Sequence, residues 1–163
     1  VVTDRMLKIG DLDEIYKRGA DLYVLDHLHY FGLDHKDKSK ADSIEESMKE
    51  INDLTIRNGT RTILIAHFQK IDEAKRPTIT NFKDSISIPQ IAKTVLMLWR
   101  NRGENSTPED QITTEFICPK NRIDVPTFTA TAKFDIWTNE YGDMGYKVTG
   151  TKNSEFSNLS TNF

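Results

Sequence analysis

Two short apolar runs separated by a long amphipathic stretch dominate the first half of the chain. Residues 22–25 and 62–66 are apolar at almost every position, and the two runs stop at polar side chains, Asp26 and His67. Parallel strands that are covered on both faces have this uniform pattern. Residues 39–58 carry apolar side chains at helical spacing. This order predicts a strand, a helix and a strand joined by a right-handed parallel crossover.

Shorter elements are predicted on either side of this unit, from local spacing and from turn residues. They are a helix at 11–18 closed by Gly19, a polar loop at 70–90 with a short helix near 85–93, a third apolar strand at 94–99, and an antiparallel pair at 113–118 and 127–134. The pattern predicts an α/β protein with a parallel sheet, flanking helices and an antiparallel β-hairpin toward the C-terminus. Residues 1–150 are expected to form one partial domain and residues 151–163 a loose tail.

Composition narrows the class of protein. The chain has 163 residues, a net charge of −3, 29% charged and 37% hydrophobic residues, which is typical of a globular domain. Cys118 is the single cysteine, so an internal disulfide and a multi-cysteine zinc site are excluded. No apolar run has the length of a bilayer-crossing helix and no secretory leader is evident. We therefore expect a cytoplasmic protein without a membrane partner.

Candidate chemistry lies where the apolar strands end. Parallel strands present their carboxyl ends at one edge of a sheet, which brings Asp26 and His67 together. A carboxylate at such an edge can hold Mg²⁺ beside the phosphates of a nucleotide. Taken singly, Asp26 also fits the cap of a turn, and His67 fits a structural hydrogen-bonding residue. These interpretations stay open on patterning alone.

The order of the motifs along the chain resembles that of a known protein family. Leu25-Asp26-His27, a long helix, residues 64–68 (LIAHF), residues 76–83 (RPTITNFK) and Lys120-Asn121-Arg122 follow one another as in DnaB-type helicases. The chain resembles this family over residues 20–135, and most closely the branch of phage primase-helicases and Twinkle. That branch carries a histidine at the end of the second strand, where bacterial DnaB proteins carry glutamine. The resemblance implies the C-terminal part of a RecA-like ATPase domain of the P-loop NTPase type.

The resemblance also implies residue roles. Asp26 is similar to the Walker B aspartate that holds Mg²⁺, and His27 and His67 lie beside the nucleotide, with His67 as the γ-phosphate sensor. Lys120 and Arg122 match the pair that reaches a neighbouring subunit's nucleotide, where a guanidinium stabilises charge on the γ-phosphoryl group. The loop that faces single-stranded DNA corresponds to residues 70–90, with contacts expected from Lys70, Lys75, Arg76, Lys83, Ser85 and Gln90.

Cofactors and partners follow from the same resemblance. The complete protein is expected to use Mg²⁺ with ATP or another NTP, in the cytoplasm of a bacterial or phage-infected cell. Its partners are single-stranded DNA, identical subunits in a hexameric ring, and primase. Hydrolysis would drive translocation on DNA and duplex unwinding.

The sequence departs from the family at several points. No G-x-x-x-x-G-K-[ST] motif occurs, and the eight glycines are scattered, so the loop that grips the β- and γ-phosphates is missing. Asp84 stands in the DNA-facing loop, and residues 123–126 replace a glycine-rich turn. The isolated chain is therefore predicted to lack ATPase activity.

Two alternatives remain from the sequence. A metal-dependent hydrolase would draw ligands from a cluster of acids and histidines, namely Asp26, His27, His29, Asp34, His35 and Asp37. A non-catalytic RecA-like module would use the same fold for contacts between subunits. Stoichiometric zinc or manganese in the purified protein would favour the hydrolase.

Overall fold

The computed structural model describes residues 8–30, 38–83, 86–123 and 126–148, with side chains described as far as Gly142. The chain divides into two compact units. We call residues 1–70 and 80–92 the parallel unit, and residues 71–79 and 93–163 the antiparallel unit. The tail predicted at 151–163 lies outside the described residues.

In the described part of the parallel unit there are two strands and three α-helices. They are α1 (Asp11–Tyr16), β1 (Leu22–Leu25), α2 (Lys40–Arg57), β2 (Arg61–Leu64) and α3 (Ser87–Ile91), and a 3-10 helix at Ile79–Asn81 precedes α3. β1 and β2 pair in parallel, from Leu22 opposite Arg61 to Leu25 opposite Leu64. The predicted strand, helix and strand are confirmed. Gly19 has a φ of +76°, the left-handed conformation expected of the residue that closes α1.

Helix α2 forms because its sequence supplies a cap and one continuous apolar face. The Ser39 hydroxyl accepts a hydrogen bond from the Asp42 amide at 3.2 Å, which satisfies one of the amides left open at a helix start. Four apolar side chains three or four residues apart then lie on one side and are buried, namely Ile44, Met48, Ile51 and Leu54. This face packs with α1, α3 and the strands into a single core.

A chain of hydroxyl groups ties the helices to the strands. Tyr16 Oη lies 2.6 Å from Thr62 Oγ1, which lies 2.7 Å from Thr55 Oγ1. Thr55 also donates to the Ile51 carbonyl at 2.7 Å. Polar groups taken out of water need hydrogen-bond partners. These hydroxyl contacts supply them, so β2 packs against α1 and α2 without the free-energy cost of unpaired polar groups.

The second face of the parallel strands differs from the prediction. Leu22, Val24 and Ile63 are 48%, 58% and 52% exposed. The uniform apolar pattern predicted burial on both faces, and this prediction is wrong for the described residues. The reason is that α1, α2 and α3 all belong to the core on one face, which includes Leu25.

Where the structure describes the antiparallel unit, it has four strands and one short helix. They are β3 (Thr94–Trp99), α4 (Pro108–Ile112), β4 (Thr113–Asn121), β5 (Phe128–Asp135) and β6 (Glu140–Val148), with sheet order β3-β4-β5-β6. The predicted antiparallel pair is confirmed as β4 and β5. The expected hairpin is extended by β3 and β6, so β3 joins an antiparallel sheet. The sequence pattern did not predict β6 or α4, which begins at a capping box between Thr107 and Asp110.

Residues 71–79 pack within this second unit. A Cβ added to Gly103 would lie 2.3 Å from Ala74 Cβ, so only glycine allows these two loops to approach. Arg76 Nε donates to Glu115 Oε2 at 2.7 Å, and its Nη2 donates to Thr129 Oγ1 at 3.1 Å. These contacts hold the segment against β4 and β5.

Within the described residues, no helix combines the length and the apolar character needed to cross a bilayer.

Candidate functional site

Asp26 and His67 lie at the same edge of the parallel sheet. Asp26 directly follows β1, and the ladder continues beyond β2 because the Ile65 amide donates to the Leu25 carbonyl at 3.0 Å and the Leu28 amide donates to the Ile65 carbonyl at 2.9 Å. The Asp26–His27 peptide bond is cis. Asp26 and His67 thus both follow the carboxyl ends of paired parallel strands, as the sequence predicted.

Three imidazole rings cluster beyond the ends of β1 and β2. The ring centroid of His27 lies 4.2 Å from that of His67 and 5.5 Å from that of His29, and His29 lies 5.8 Å from His67. The Tyr30 ring meets His27 edge-on at 4.3 Å. The sequence identified His27 and His67 as neighbours of a nucleotide but gave His29 no role there. The alternation of His27 and His29 after an apolar strand is the signal that could have included it.

The segment after β2 pairs with the segment that precedes α3. The Lys83 amide donates to the His67 carbonyl at 3.0 Å, and the Gln69 amide donates to the Asn81 carbonyl at 2.9 Å. The rings of Phe68 and Phe82, one from each segment, pack against each other with their centroids 5.1 Å apart. Nε2 of His29 lies 3.4 Å from the Lys83 carbonyl oxygen, in position to donate a hydrogen bond. The backbone of Lys83 is therefore linked to two of the clustered histidines.

The residues predicted to touch DNA have several different environments. Lys70, Lys83 and Gln90 belong to the parallel unit and are exposed. Lys75 and Arg76 belong to the antiparallel unit, where Arg76 is bound to Glu115 and Thr129. Ser85 and Asp84 lie outside the described residues. The structure therefore gives Arg76 a packing role that the sequence did not indicate.

Lys120 and Arg122 lie at the C-terminal end of β4 in the antiparallel unit. Lys120 is opposite Val95 on β3, and its main-chain oxygen accepts a hydrogen bond from the thiol of Cys118 at 3.5 Å. Burial lowers the pKa of Lys120, and the charges of Arg122 and Lys93 lower it further. Burial also raises the pKa of the Cys118 thiol. Strand pairing thus holds Lys120 near two other cations, and Lys93 is the one that the sequence did not indicate.

Asp26 fits the role of a Mg²⁺ ligand, whereas the described residues of the larger predicted metal cluster do not form a metal site. The Asp26 carboxylate is exposed, and no hydrogen bond or ion pair engages it among the described residues. An exposed carboxylate suits a hard cation that keeps part of its water shell. Across the described ranges, no three histidine, cysteine or acidic residues are arranged to hold a metal ion. Asp34, His35 and Asp37 of the hydrolase hypothesis lie outside them.

These strand ends and this sheet order agree with a mixed α/β protein of RecA-like fold, as comparisons with solved structures confirm. The ATPase domain of a phage helicase matches with a TM-score of 0.68 and 16% identity, covering 82% of this chain and 49% of that one. A DnaB-like replicative helicase, solved in a study of its interactions with primase, matches with a TM-score of 0.72 and 15% identity, covering 82% and 34%. At these identities the likeness establishes the fold.

The family follows from the sequence match. Residues 5–143 match the model of the DnaB-like helicase C-terminal domain, and the chain therefore belongs to that family. It spans about half of the phage helicase ATPase domain and about a third of the DnaB-like replicative helicase. No curated protein matches the chain. The expected family and fold are confirmed.

Proposed function

We propose that the chain forms the Mg²⁺ and sensor side of the nucleotide site of a replicative DNA helicase, which couples NTP hydrolysis to movement along single-stranded DNA. The observation that carries this proposal is the connection between His67 and Lys83. A residue expected to sense the γ-phosphate is hydrogen-bonded through its own carbonyl to a residue expected to face DNA.

Asp26 supplies the metal side of the site. Its carboxylate follows β1 at the sheet edge, and oxygen is the ligand that Mg²⁺ prefers. The metal, when bound with ATP, neutralises charge that develops on the transferred phosphoryl group. His27 packs its ring against His67 at 4.2 Å and so restrains the imidazole at the same edge.

His67 links the nucleotide to the DNA-facing loop. An imidazole can donate a hydrogen bond to phosphate, so its position depends on whether the γ-phosphate is present. The hydrogen bond from the Lys83 amide to the His67 carbonyl and the packing of Phe68 on Phe82 carry that displacement into residues 81–83. Lys83 and Lys70 then contact DNA phosphates without reading sequence.

The partners of the whole protein belong to the same proposal. The matched DnaB-like helicase was solved in a study of its interactions with primase. By extension, this chain acts within a ring of six identical subunits, with single-stranded DNA and primase as partners, in the cytoplasm of a bacterial or phage-infected cell. Lys120 and Arg122 serve the nucleotide of the adjoining subunit. The phage and Twinkle branch is part of the proposal because it rests on His67.

The test is a pair of substitutions at His67 in the full-length protein that contains this chain. His67→Ala removes the donor, and we expect DNA-stimulated NTP hydrolysis to fall about 100-fold, as for loss of one donor to a developing charge, while NTP binding persists. His67→Gln keeps an amide donor, as bacterial DnaB proteins do, and should retain more of the stimulation. Equal stimulation in wild type and His67→Ala would contradict the proposal.

A second candidate function is a non-catalytic module for contacts between polypeptides. The exposed apolar face of β1 and β2, which includes Val24 and Ile63, favours it. Large exposed apolar patches are typical of interaction surfaces. The upstream sequence of the gene separates the two functions. A helicase requires a glycine-lysine phosphate loop within roughly the preceding hundred residues, the size of an ordinary domain.

A further inference from the structure

The His29 side chain joins the end of β1 to the segment that precedes α3. Nε2 of His29 lies 3.4 Å from the Lys83 carbonyl oxygen. A carbonyl oxygen has no hydrogen to give, so the imidazole donates and Nε2 holds the proton. Both residues belong to the parallel unit. The contact therefore connects the strand end that bears Asp26 to a segment expected to face DNA.

The backbone on either side of His29 is held in place. Leu28 is fully buried, and its amide donates to the Ile65 carbonyl at 2.9 Å. The Tyr30 amide donates to the His27 carbonyl at 3.1 Å, and the Tyr30 ring packs edge-on against the His27 ring. A side chain can orient another group only when its own position is fixed by packing and hydrogen bonds. His29 meets this condition.

Histidines hold both backbone groups of Lys83. Its amide donates to the His67 carbonyl at 3.0 Å, and its carbonyl accepts from His29. The amide and the carbonyl lie on either side of one Cα atom, where the backbone has two soft dihedral angles. One hydrogen bond would leave one of these angles free to vary, whereas two restrict both. The direction in which the Lys83 side chain leaves the backbone is therefore set jointly by His67 and His29.

We propose that His29 is a positioning residue that acts through Lys83 and orients this lysine for contact with a DNA phosphate. The inference rests on the proposed function, which connects Lys83 to His67 alone, and it adds a second link from the end of β1. His29 touches neither nucleotide nor DNA in this arrangement. Its imidazole supplies a hydrogen bond whose effect on the reaction is the orientation of Lys83.

The other imidazoles make this link responsive to the nucleotide. The ring centroid of His29 lies 5.5 Å from that of His27 and 5.8 Å from that of His67. These separations lie in the range at which aromatic rings attract one another. A displacement of His67 by a γ-phosphate thus reaches the amide of Lys83 through the main chain and its carbonyl through the His29 ring. The two links to Lys83 therefore respond together.

The test compares His29→Gln with His29→Asn in the full-length protein that contains this chain. The glutamine amide nitrogen lies as many bonds from Cβ as Nε2 of histidine does, so it can still donate to Lys83, whereas the asparagine nitrogen lies nearer to Cβ and falls short. The measurement is the concentration of a single-stranded oligonucleotide that gives half of the maximal stimulation of NTP hydrolysis. We expect His29→Asn to raise this concentration about threefold, as for loss of one modest hydrogen bond, and His29→Gln to stay near wild type.

A second readout needs neither DNA nor NTP. The hydrogen bond to Lys83 requires that Nε2 of His29 be protonated. NMR of the imidazole nitrogens in the 163-residue chain distinguishes this form from the tautomer protonated at Nδ1, and the His29 signals are those missing from His29→Gln. We expect the form protonated at Nε2. A His29 ring protonated at Nδ1 alone overturns the inference.

Each outcome of the comparison between variants decides the role of His29. A higher half-stimulation concentration for His29→Asn, with His29→Gln near wild type, supports the inference. Values near wild type for both variants, or equal increases in both, overturn it. If His67→Ala loses the stimulation while both His29 variants keep it, only the inference fails and the proposed function stands. A wild-type protein that DNA does not stimulate contradicts the proposed function, and the inference with it.

Discussion

The parallel and antiparallel units place their candidate functional side chains at strand ends in different ways. In the parallel unit, Asp26 and His67 follow strands that run in the same direction, so both reach one edge, and the backbone of Lys83 connects that edge to the next segment. In the antiparallel unit, β3 and β4 run in opposite directions, so the start of β3 meets the end of β4, where the Arg122 amide donates to the Lys93 carbonyl. The first arrangement connects one strand end to the next segment through main-chain hydrogen bonds, whereas the second joins the ends of two strands within one sheet.

The parallel arrangement depends on a core that covers one face of the sheet, so removing a core side chain from α2 is the largest perturbation we predict. Leu54 is fully buried. Leu54→Ala should lower the free energy of unfolding by about 3 kcal/mol, the usual cost of a cavity of this size. Ile56→Ala on the same helix is the control because Ile56 is 64% exposed. Urea titrations measure the free energy of unfolding of both variants. Similar decreases for the two would show that this core does not stabilise the parallel unit.

The antiparallel unit depends on a close approach of two loops, which Gly103→Ala would break. The added Cβ would meet Ala74, and we expect a loss of about 2 kcal/mol from overpacking. The double variant Ala74→Gly with Gly103→Ala removes the contact between the two Cβ atoms but leaves the residue 74 Cα 2.9 Å from the added Cβ, so it should recover part of the loss. Thermal unfolding of the three variants measures this coupling, and additive losses in the double variant would argue against the contact.

Arg76 was expected to bind DNA together with Lys70 and Lys83 of the parallel unit. It belongs instead to the antiparallel unit, where its side chain is hydrogen-bonded to Glu115. Arg76→Gln should lower stability by about 1 kcal/mol, since its hydrogen bonds to Glu115 and Thr129 are lost at a partly exposed site. Lys75→Gln, next to it, should have little effect on stability. If Arg76→Gln instead weakens oligonucleotide binding while stability stays unchanged, Arg76 belongs with the DNA contacts.

The smallest predicted effect is a pH-dependent gain in stability from Lys120→Gln. The folded pKa of Lys120 lies below its ordinary value of 10.5, so the charged lysine opposes folding at neutral pH and this cost disappears as pH rises toward 10.5. Lys120→Gln should therefore be slightly more stable than wild type at neutral pH, with the gain shrinking under alkaline conditions. Denaturant titrations across this range provide the measurement. A gain that is constant with pH would contradict the charge argument.

The sequence predicted the two parallel strands and the residues that follow them, because this information is local. An apolar run that ends in Asp26 or His67 fixes both the strand and the position of the polar residue. The exposed face of β1 and β2 was missed because a strand's own pattern does not reveal which neighbours cover it. Lys93 was missed because its partners depend on β3 joining β4 in an antiparallel register, which shifts between Val95 and Met97. Such a bulge cannot be located from periodicity.

The uncovered side chains of Leu22, Val24 and Ile63 have a practical consequence for laboratory work. Dyes such as ANS become fluorescent on accessible apolar surface, and their signal is often taken as a sign of a molten globule. This chain should give such a signal while its helices and strands are intact. Dye-based screens of preparations and variants would then score a folded protein as misfolded, and near-UV circular dichroism is the better criterion of native packing.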